Sequence, residues 1–560
     1  MQQESACPEP SRSPFSAALD IPFAKIPGQS KLFIEYQADP VSLKRFYPGA
    51  IGSHREVVER VPEVLSRYTA DRTVLCDALE EMNRKFGASE ATLANIAMLR
   101  EADSVAVVSG QQAGLLTGPL YTIYKALSAV KTANELRRRG VKAVPVFWAA
   151  TEDHDFDEVS RTFVLDRESR LTEVKNEPKR CHDDLPVGYV KLDDSIRRTL
   201  AGLFDALPMT EHTEELRGLL DDIWMPQTYY GDAFARLLNA LIGKYGLVIL
   251  CPLDSRLKTL ASPIYVNAIR HSDEIVRALQ ARSEQLTSEG YVAQVFVGDD
   301  YFPLFWQARD GTRNALKKSE NGTFHTKDGA REFTLDELAE TAERDPARFS
   351  PSVVLRSVVQ DHLLPTACYY GGAAEIAYFA QSSEVYRILD RPATPILHRQ
   401  SFSIVERRFG RTMEKFDIGF DHLFAGLNAL IPELVDRHLN TGTSALIADV
   451  EERINIELNR LDQNFLNIDP TLSENLATRR RKIIYHISAL RNKFRTIQFN
   501  KDQEIRRRVE SLFSSTMPFG HLQERSLNVV HFVNRYGPEF VDWLYDGIDL
   551  DNKDHRVLYL

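Results

Sequence analysis

VVSGQQAGLLTGPLYTIYKALSAV, residues 107–130, passes from an apolar run through a glycine-punctuated loop into a helical pattern. The run begins upstream as SVAVVSG (104–110), rich in valine, and reads as a strand buried on both faces. Gly110, Gly114 and Gly118 recur every four residues, so the backbone there can turn tightly or approach a ligand closely. Pro119 sits where a helix begins, since its missing N–H costs nothing in a first turn. The helix should run to about Arg139 and stop at Gly140, before a second buried strand in VKAVPVFWAA (141–150). Strand, loop, helix, strand is a βαβ unit with a right-handed crossover. The fold class is therefore α/β, with a Rossmann-like parallel-sheet core.

The same grammar extends outward. Residues 55–100 carry helical periodicity, and YGLVILCPLDSRLK (245–258) and PTACYYGGAAEIAYFAQSSEVYRIL (365–389) each supply a strand followed by a turn and a helix. Two stretches interrupt the alternation, one at about 160–240 and one at about 290–345, the second reading as a small antiparallel β region. The expected organisation is a loose tail over 1–30, a core over 31–402 holding both insertions, a helical domain over 403–513, and a segment over 514–560 that returns to the core. In the helical domain Ile447, Val450, Ile454, Leu458, Leu461, Phe465 and Ile468 recur at spacings of three and four. Leu476, Ile483, Ile487, Leu490, Phe494 and Ile497 continue the pattern after Asp469-Pro470, which reads as an antiparallel coiled-coil arm of the kind that makes homodimers.

Bulk properties exclude several classes. A net charge of −10 and a pI near 5.9 argue against a nucleic-acid partner. No apolar run reaches the ~18 residues of a membrane span, and the first twenty residues lack the basic and apolar regions of a signal peptide. Cys7, Cys76, Cys181, Cys251 and Cys368 are scattered without a CxxC pair, which fits the reducing cytoplasm and gives no zinc framework. Cys251 and Cys368 are the better placed candidates for a reactive thiol.

Three constellations could carry chemistry. In the opening loop Gly110, Gln111, Gln112, Gly118, Tyr121 and Lys125 surround a helix N-terminus, whose free N–H groups favour an anion. The next strand ends in ATEDHDFDEV (150–159), on the same sheet edge, where Asp153, His154 and Asp155 could serve as general base and orienting carboxylate. The acidic run could instead hold Mg²⁺, although no residue set is assigned as metal ligands and zinc is not expected. The third constellation, YYGGAAEIAYFAQ (369–381), opens a helix with Gly371 and Gly372 and places Glu375, Tyr378 and Gln381 on roughly one face. Beyond it, His398 and Arg399 end a strand, and Arg399 suits a carboxylate. MPFGHLQERSLN (517–528) is a further glycine turn dense in polar groups.

The stretches VVSGQQAGLLTGPLYTIYKALSAV, PVFWAATEDHDFDEV, HLLPTACYYGGAAEIAYFAQ and PFGHLQER together resemble the cysteine ligases of bacillithiol biosynthesis, in order and spacing, from about Leu32 to the end. The resemblance implies a Rossmann-like core akin to class I aminoacyl-tRNA synthetases, with connecting-peptide insertions, and a coiled-coil homodimer. It implies a reaction in which cysteine joins the amine of glucosaminyl-malate. A ligase of that type would activate cysteine with ATP, and ATP and Mg²⁺ are the possible cofactors. The adenylate-forming relatives carry HxGH on this loop and KMSKS later; here the loop reads GLLTGPLY, and LKKSE (316–320) resembles the second motif faintly. A nucleotide-sugar-dependent transferase, with Asp153 and Asp155 in a DxD-like role, and a non-catalytic coiled-coil binding protein are the alternatives.

Overall fold

The computed structural model describes residues 14–180 and 184–560. Cys7 and Cys181 lie outside the described residues. The chain divides into two compact units: one holds the chain up to Arg167, Thr172–Ser403 and Glu524–Leu558, and the other Glu168–Leu171, Ile404–Gln523 and Tyr559–Leu560.

The first unit is built on a five-stranded parallel sheet. Its elements are β1 (Val105–Gln111), α1 (Tyr121–Arg138), β2 (Ala143–Ala149), β3 (Val248–Leu250) and α2 (Ser255–Arg270). An antiparallel sheet follows, made of β4 (Tyr301–Gln307), β5 (Arg313–Lys318), β6 (Phe324–Thr326), β7 (Glu332–Phe333) and β8 (Phe349–Pro351). The chain then re-enters the parallel sheet through α3 (Val353–Leu363), β9 (Thr366–Gly371), α4 (Ala373–Ile388) and β10 (Ile396–His398). The parallel order is β10-β9-β1-β2-β3, and the antiparallel order is β7-β6-β5-β4-β8.

The valine-rich strands pair in full register, Val105 with Ala143 through Gln111 with Ala149. On its other side β1 meets β9, with Val108 opposite Tyr369 and Ser109 opposite Tyr370. Successive strands β1, β2 and β3 step one way from the centre, while β9 and β10 lie the other way. The gap between β1 and β9 is therefore a topological switch point, where the loops leaving two neighbouring strands diverge and open a crevice at the carboxyl edge. Helix α1 covers this sheet with Ala129, Ala133 and Leu136, which pack in one buried cluster with Val105, Val107, Ala143 and Tyr370. Each such side chain contributes about 1.5–3 kcal/mol of transfer free energy if large, less for alanine.

Residues 14–30 differ from the loose tail expected. Ala17–Ile21 is a strand, and Ile21, Phe23 and Ile26 are buried. Asp20 pairs with Arg556 at 2.7 Å, so the anchor is the far end of the chain, which local sequence does not display. In LKKSE, Lys317 pairs with Asp300 and Lys318 with Asp273 at 2.6 Å, on an antiparallel strand rather than a mobile loop.

In the second unit α5 (Thr441–Ile468) and α6 (Pro470–Lys501) are joined by one residue, Asp469, which accepts from Thr471 N at 2.8 Å and caps α6. Arg491 meets Glu451 at 2.7 Å between the two helices. No residue of α5 is buried, and on α6 only Leu476 and Phe499 are. The helices thus expose Leu446, Leu466, Tyr485 and Leu490.

Candidate active site

The loop that decides the fold is packed shut. Ala113, Leu115, Leu116 and Leu120 are fully buried, and a Cβ on Gly114 would stand 2.9 Å from Gly118 Cα. Leu116 and Thr117 hold positive φ angles of 53° and 77°, and Gly118 lies at φ 71°, ψ −156°, a region open essentially to glycine alone. The strained carbonyls are held by Asn528, whose Nδ2 lies 2.9 Å from Leu116 O and 2.8 Å from Gly118 O. Gly118 is therefore held as a structural turn. The expected anion cradle at the start of α1 is filled by protein, because the segment around Asn528 folds onto it.

The crevice at the switch point is real and lies beside that loop. A cavity of about 580 Å³ is walled by the ends of β1 and β2, the start of α4, and residues of β4, β5 and α3. Of the expected site residues it collects Gly110, Gln111, Gln112, Tyr121, Lys125, Asp153, His154, Gly372, Glu375 and Arg399. Gly110 is required where β1 meets β2, since a Cβ would stand 2.7 Å from Trp148 O. Gly118, Asp155, Gly371 and Gln381 are not on its wall. Gln381 is fully buried and instead pins a neighbouring loop, its Oε1 accepting from Val295 N at 2.9 Å and its Nε2 donating to Val295 O at 2.8 Å.

Several charges expected to meet a ligand are already committed. Lys125, 3% exposed, pairs with Glu375 and donates to Gly110 O at 3.0 Å and to Gln111 Oε1 at 2.8 Å. Burial pushes the Glu375 carboxyl up, but Lys125 outweighs it and holds the group below its ordinary range. Glu375 also accepts from Tyr369 OH at 2.6 Å and Gly372 N at 2.8 Å. Arg399 gives both ends of its guanidinium to Glu524, which leaves its buried Nε as the unpartnered donor. That Nε lies 3.9 Å from where a Cβ on Gly372 would stand.

The acidic run resolves into separate duties. Glu152 pairs with Lys258, and both are buried. Asp153 Oδ1 accepts from His154 N at 2.7 Å, while its Oδ2 receives Gln112 Nε2 at 2.6 Å. Asp155 caps a short helix through Glu158 N at 3.0 Å, and Asp157 pairs with Arg161 and Lys175. Among the described residues no group of three or more His, Cys, Asp or Glu side chains could hold a metal ion. His154 Nδ1 lies 3.1 Å from Arg313 Nη1. Burial first, then Arg313, pushes the imidazole below its ordinary range. Neither Cys251 nor Cys368 lines the cavity, and desolvation pushes the Cys251 thiol up to about 12 and raises that of buried Cys368, which disfavours a reactive thiolate at both.

Three pocket arginines were not among the expected set: Arg313, Arg356 and Arg525. Arg356 donates to Tyr378 OH at 2.6 Å, and Arg525 is exposed. Neither forms an ion pair with a carboxylate of the described residues. Arg356 interrupts an otherwise apolar helical face in SVVLRSVV, and Lys258 does the same in α2, so a charge inside an apolar stripe was the available signal. Arg313 follows a β-turn in a polar strand and carries no comparable mark.

Family models match the chain in two parts. Residues 19–400 match the N-terminal Rossmann-like domain of bacillithiol biosynthesis BshC, and residues 402–560 match its C-terminal coiled-coil domain. The chain belongs to the BshC family. A relative from Salinibacter ruber, named "Putative cysteine ligase BshC", is 34% identical over 97% of this chain and 98% of that protein. Relatives of the same name from Koribacter versatilis and Geobacillus kaustophilus are each 31% identical over 96% of this chain and 99% of theirs. A solved Campylobacter jejuni chain titled as an arginyl tRNA synthetase aligns at 10% identity with a TM-score of 0.25 over 83% of this chain and 100% of that one, too weak a likeness to carry an argument. The Rossmann-like region of the BshC family thus contains every strand of the parallel sheet, and nearly all of the cavity wall; Arg525 comes from the second matched region.

Proposed function

We propose that this protein is an amide-forming ligase that joins cysteine to the free amine of glucosaminyl-malate in bacillithiol biosynthesis. Membership of the BshC family supports the pathway. One observation supports the substrate: in an acidic chain, this pocket is walled by arginine N–H groups that have no carboxylate partner. Arg356, Arg525, the Nε of Arg399 and the first N–H groups of α4 offer donors suited to the malate carboxylates. Gln111 and Tyr121 offer hydrogen bonds to sugar hydroxyls. Asp153, on the pocket wall, is the candidate acceptor of the amine proton.

A carboxylate does not condense with an amine unaided, and ATP is the co-substrate this reading takes. The packed glycine loop does not fit a nucleotide's phosphates, and the lysines of LKKSE pair elsewhere. The donors around α4 suit a carboxylate or a phosphate alike, so nucleotide chemistry is assigned to no residue here. The acidic run does not fit Mg²⁺, since among the described residues no three of its side chains gather as a metal-holding group. Asp155, which caps a short helix and is not on the cavity wall, weighs against the DxD-like role of a metal-dependent sugar transferase.

The reading includes a homodimer formed through α5 and α6, supported by the exposed Leu446, Leu466, Tyr485 and Leu490, and work in the reducing cytoplasm. No described helix is long and apolar enough to cross a membrane. The test is a mass-spectrometric assay of the purified protein with cysteine and glucosaminyl-malate, with and without ATP and Mg²⁺. Formation of the amide supports the reading; binding of the aminosugar without turnover under every condition sinks it in favour of a binding protein.

A further inference from the structure

Arg313 decides which nitrogen of His154 carries the proton. A guanidinium has five N–H donors and no lone pair. The 3.1 Å contact between Arg313 Nη1 and His154 Nδ1 can therefore run only from arginine to imidazole. Nδ1 is the acceptor, and the single proton of the neutral ring sits on Nε2. A base needs a free lone pair facing its substrate, and the one lone pair of this tautomer is spent on Arg313.

Arg313 is itself tightly held. Its Nε donates to Ser350 Oγ at 2.8 Å and its Nη2 to Pro351 O at 3.0 Å. Its guanidinium stacks 3.7 Å from the centroid of Phe305, and the residue is 8% exposed. The other charged groups around the ring are Asp153, with Oδ1 4.0 Å from Nδ1, Asp184, with Oδ1 3.9 Å from Nε2, and Asp155 farther off. Both measured separations exceed hydrogen-bond range. Among the described residues, Nε2–H has no acceptor, and His154 lines the cavity.

We propose that His154 acts as a neutral hydrogen-bond donor, through Nε2, to an oxygen of the bound ligand, and that Arg313 is the positioning residue that fixes it in that form. The proposal rests on the ligase reading for the identity of that oxygen. In that reading it is the acyl oxygen of cysteine, on which negative charge grows as the amine attacks, and a preorganised donor there stabilises the transition state. The sequence motif alone suggested a base; the arginine from another sheet reverses the role.

Glutamine places an amide N–H near the position of Nε2, whereas asparagine places one near Nδ1. With the ligase assay, His154→Gln should retain kcat within about tenfold, while His154→Asn and His154→Ala should lose about 10²–10³-fold, as for loss of one oxyanion donor. Equal losses in all three variants would overturn the donor role of Nε2. Arg313→Ala should lower kcat as His154→Ala does, with no further loss in the double variant, and Arg313→Lys should restore part of it. Additive losses would separate the two residues and overturn the positioning role. The tautomer is tested without turnover, by ¹⁵N imidazole NMR of the full-length protein labelled at histidine, with His154→Gln identifying the signal. An Nε2–H tautomer at neutral pH is expected; an Nδ1–H or doubly protonated ring overturns the proposal even if the ligase reading stands. Failure of the wild-type protein to form the amide, with the Nε2–H tautomer present, would instead remove the ligase reading alone.

Discussion

Arg399 and Glu524, 125 residues apart, share two parallel hydrogen bonds of 2.9 and 2.7 Å in the interior of the first unit. Ser401 Oγ and Phe402 N also donate to the same carboxylate, at 2.8 and 3.1 Å. The pair ties the end of β10 to the C-terminal segment and leaves the arginine only its Nε for a carboxylate substrate. Removing either partner strands a buried charge. Glu524→Gln or Arg399→Ala should cost about 3–5 kcal/mol in denaturant unfolding. A change below about 1 kcal/mol would mean that water reaches the site.

The pair also sets a pH dependence. Burial pushes the Glu524 carboxyl up, but Arg399 prevails and holds it below its ordinary range. A depressed folded value contributes stability that is complete above the unfolded value, about 4.3, and is lost as pH falls through the folded one. Glu524→Gln should therefore flatten the unfolding free energy on the acid side of that point, measured by urea titration.

Buried histidines act at higher pH. Burial pushes His362 and His555 down to about 4. Their unfolded counterparts take protons near 6.5, so stability should fall as pH drops from about 6.5 to 4, by up to about 3 kcal/mol for each ring. At pH 5 the His362→Gln, His555→Gln double variant should take up about two protons fewer on unfolding than the wild type, which calorimetry in buffers of different ionisation enthalpy reads directly. No difference in uptake would show that these rings stay accessible.

Lys125, buried, and Glu375, partly buried, form a second pair at the cavity wall. Lys125→Ala should destabilise by about 3–5 kcal/mol, with reduced binding as a consequence of the disturbed wall. Lys125→Met combined with Glu375→Gln should recover much of that loss. If the double variant is no more stable than Lys125→Met alone, the two charges are not coupled.

The glycine loop should respond as a structural element. Gly118→Val places a β-branched residue where only glycine is at ease, at about 1–3 kcal/mol of strain or more. Asn528→Ala leaves buried carbonyls unpaired, at about 1–3 kcal/mol for each group stranded. Both variants should lower Tm, and loss of ligand binding with unchanged Tm would restore the loop as a ligand cradle.

Arg525 offers the cleanest separation of binding from folding. It is exposed, so Arg525→Ala should leave stability within about 0.5 kcal/mol. KM for glucosaminyl-malate should rise about 5–20-fold, by an amount that shrinks at high salt as screening weakens the contact. An aminosugar without malate should be indifferent to the change, and equal effects on both would remove Arg525 from carboxylate recognition.

The sequence by itself determined the alternation of strands and helices, because valine-rich runs and a 3.6-residue apolar period are local signals. It marked β1, α1 and β2 as one unit, the β-rich stretch after residue 290, and the paired helices α5 and α6. It also marked the carboxyl edge of the sheet, since that edge follows from the unit's handedness. Tertiary structure alone decided what each polar group at that edge is free to do. Glu524 leaves Arg399 only its Nε, Glu375 spends Lys125, Asn528 closes the glycine loop, and Arg313 sets the tautomer of His154. Each of these partners lies far along the chain and carries no local mark of its target. Hydrogen bonds and ion pairs depend on distances of a few ångströms, which only the assembled fold supplies.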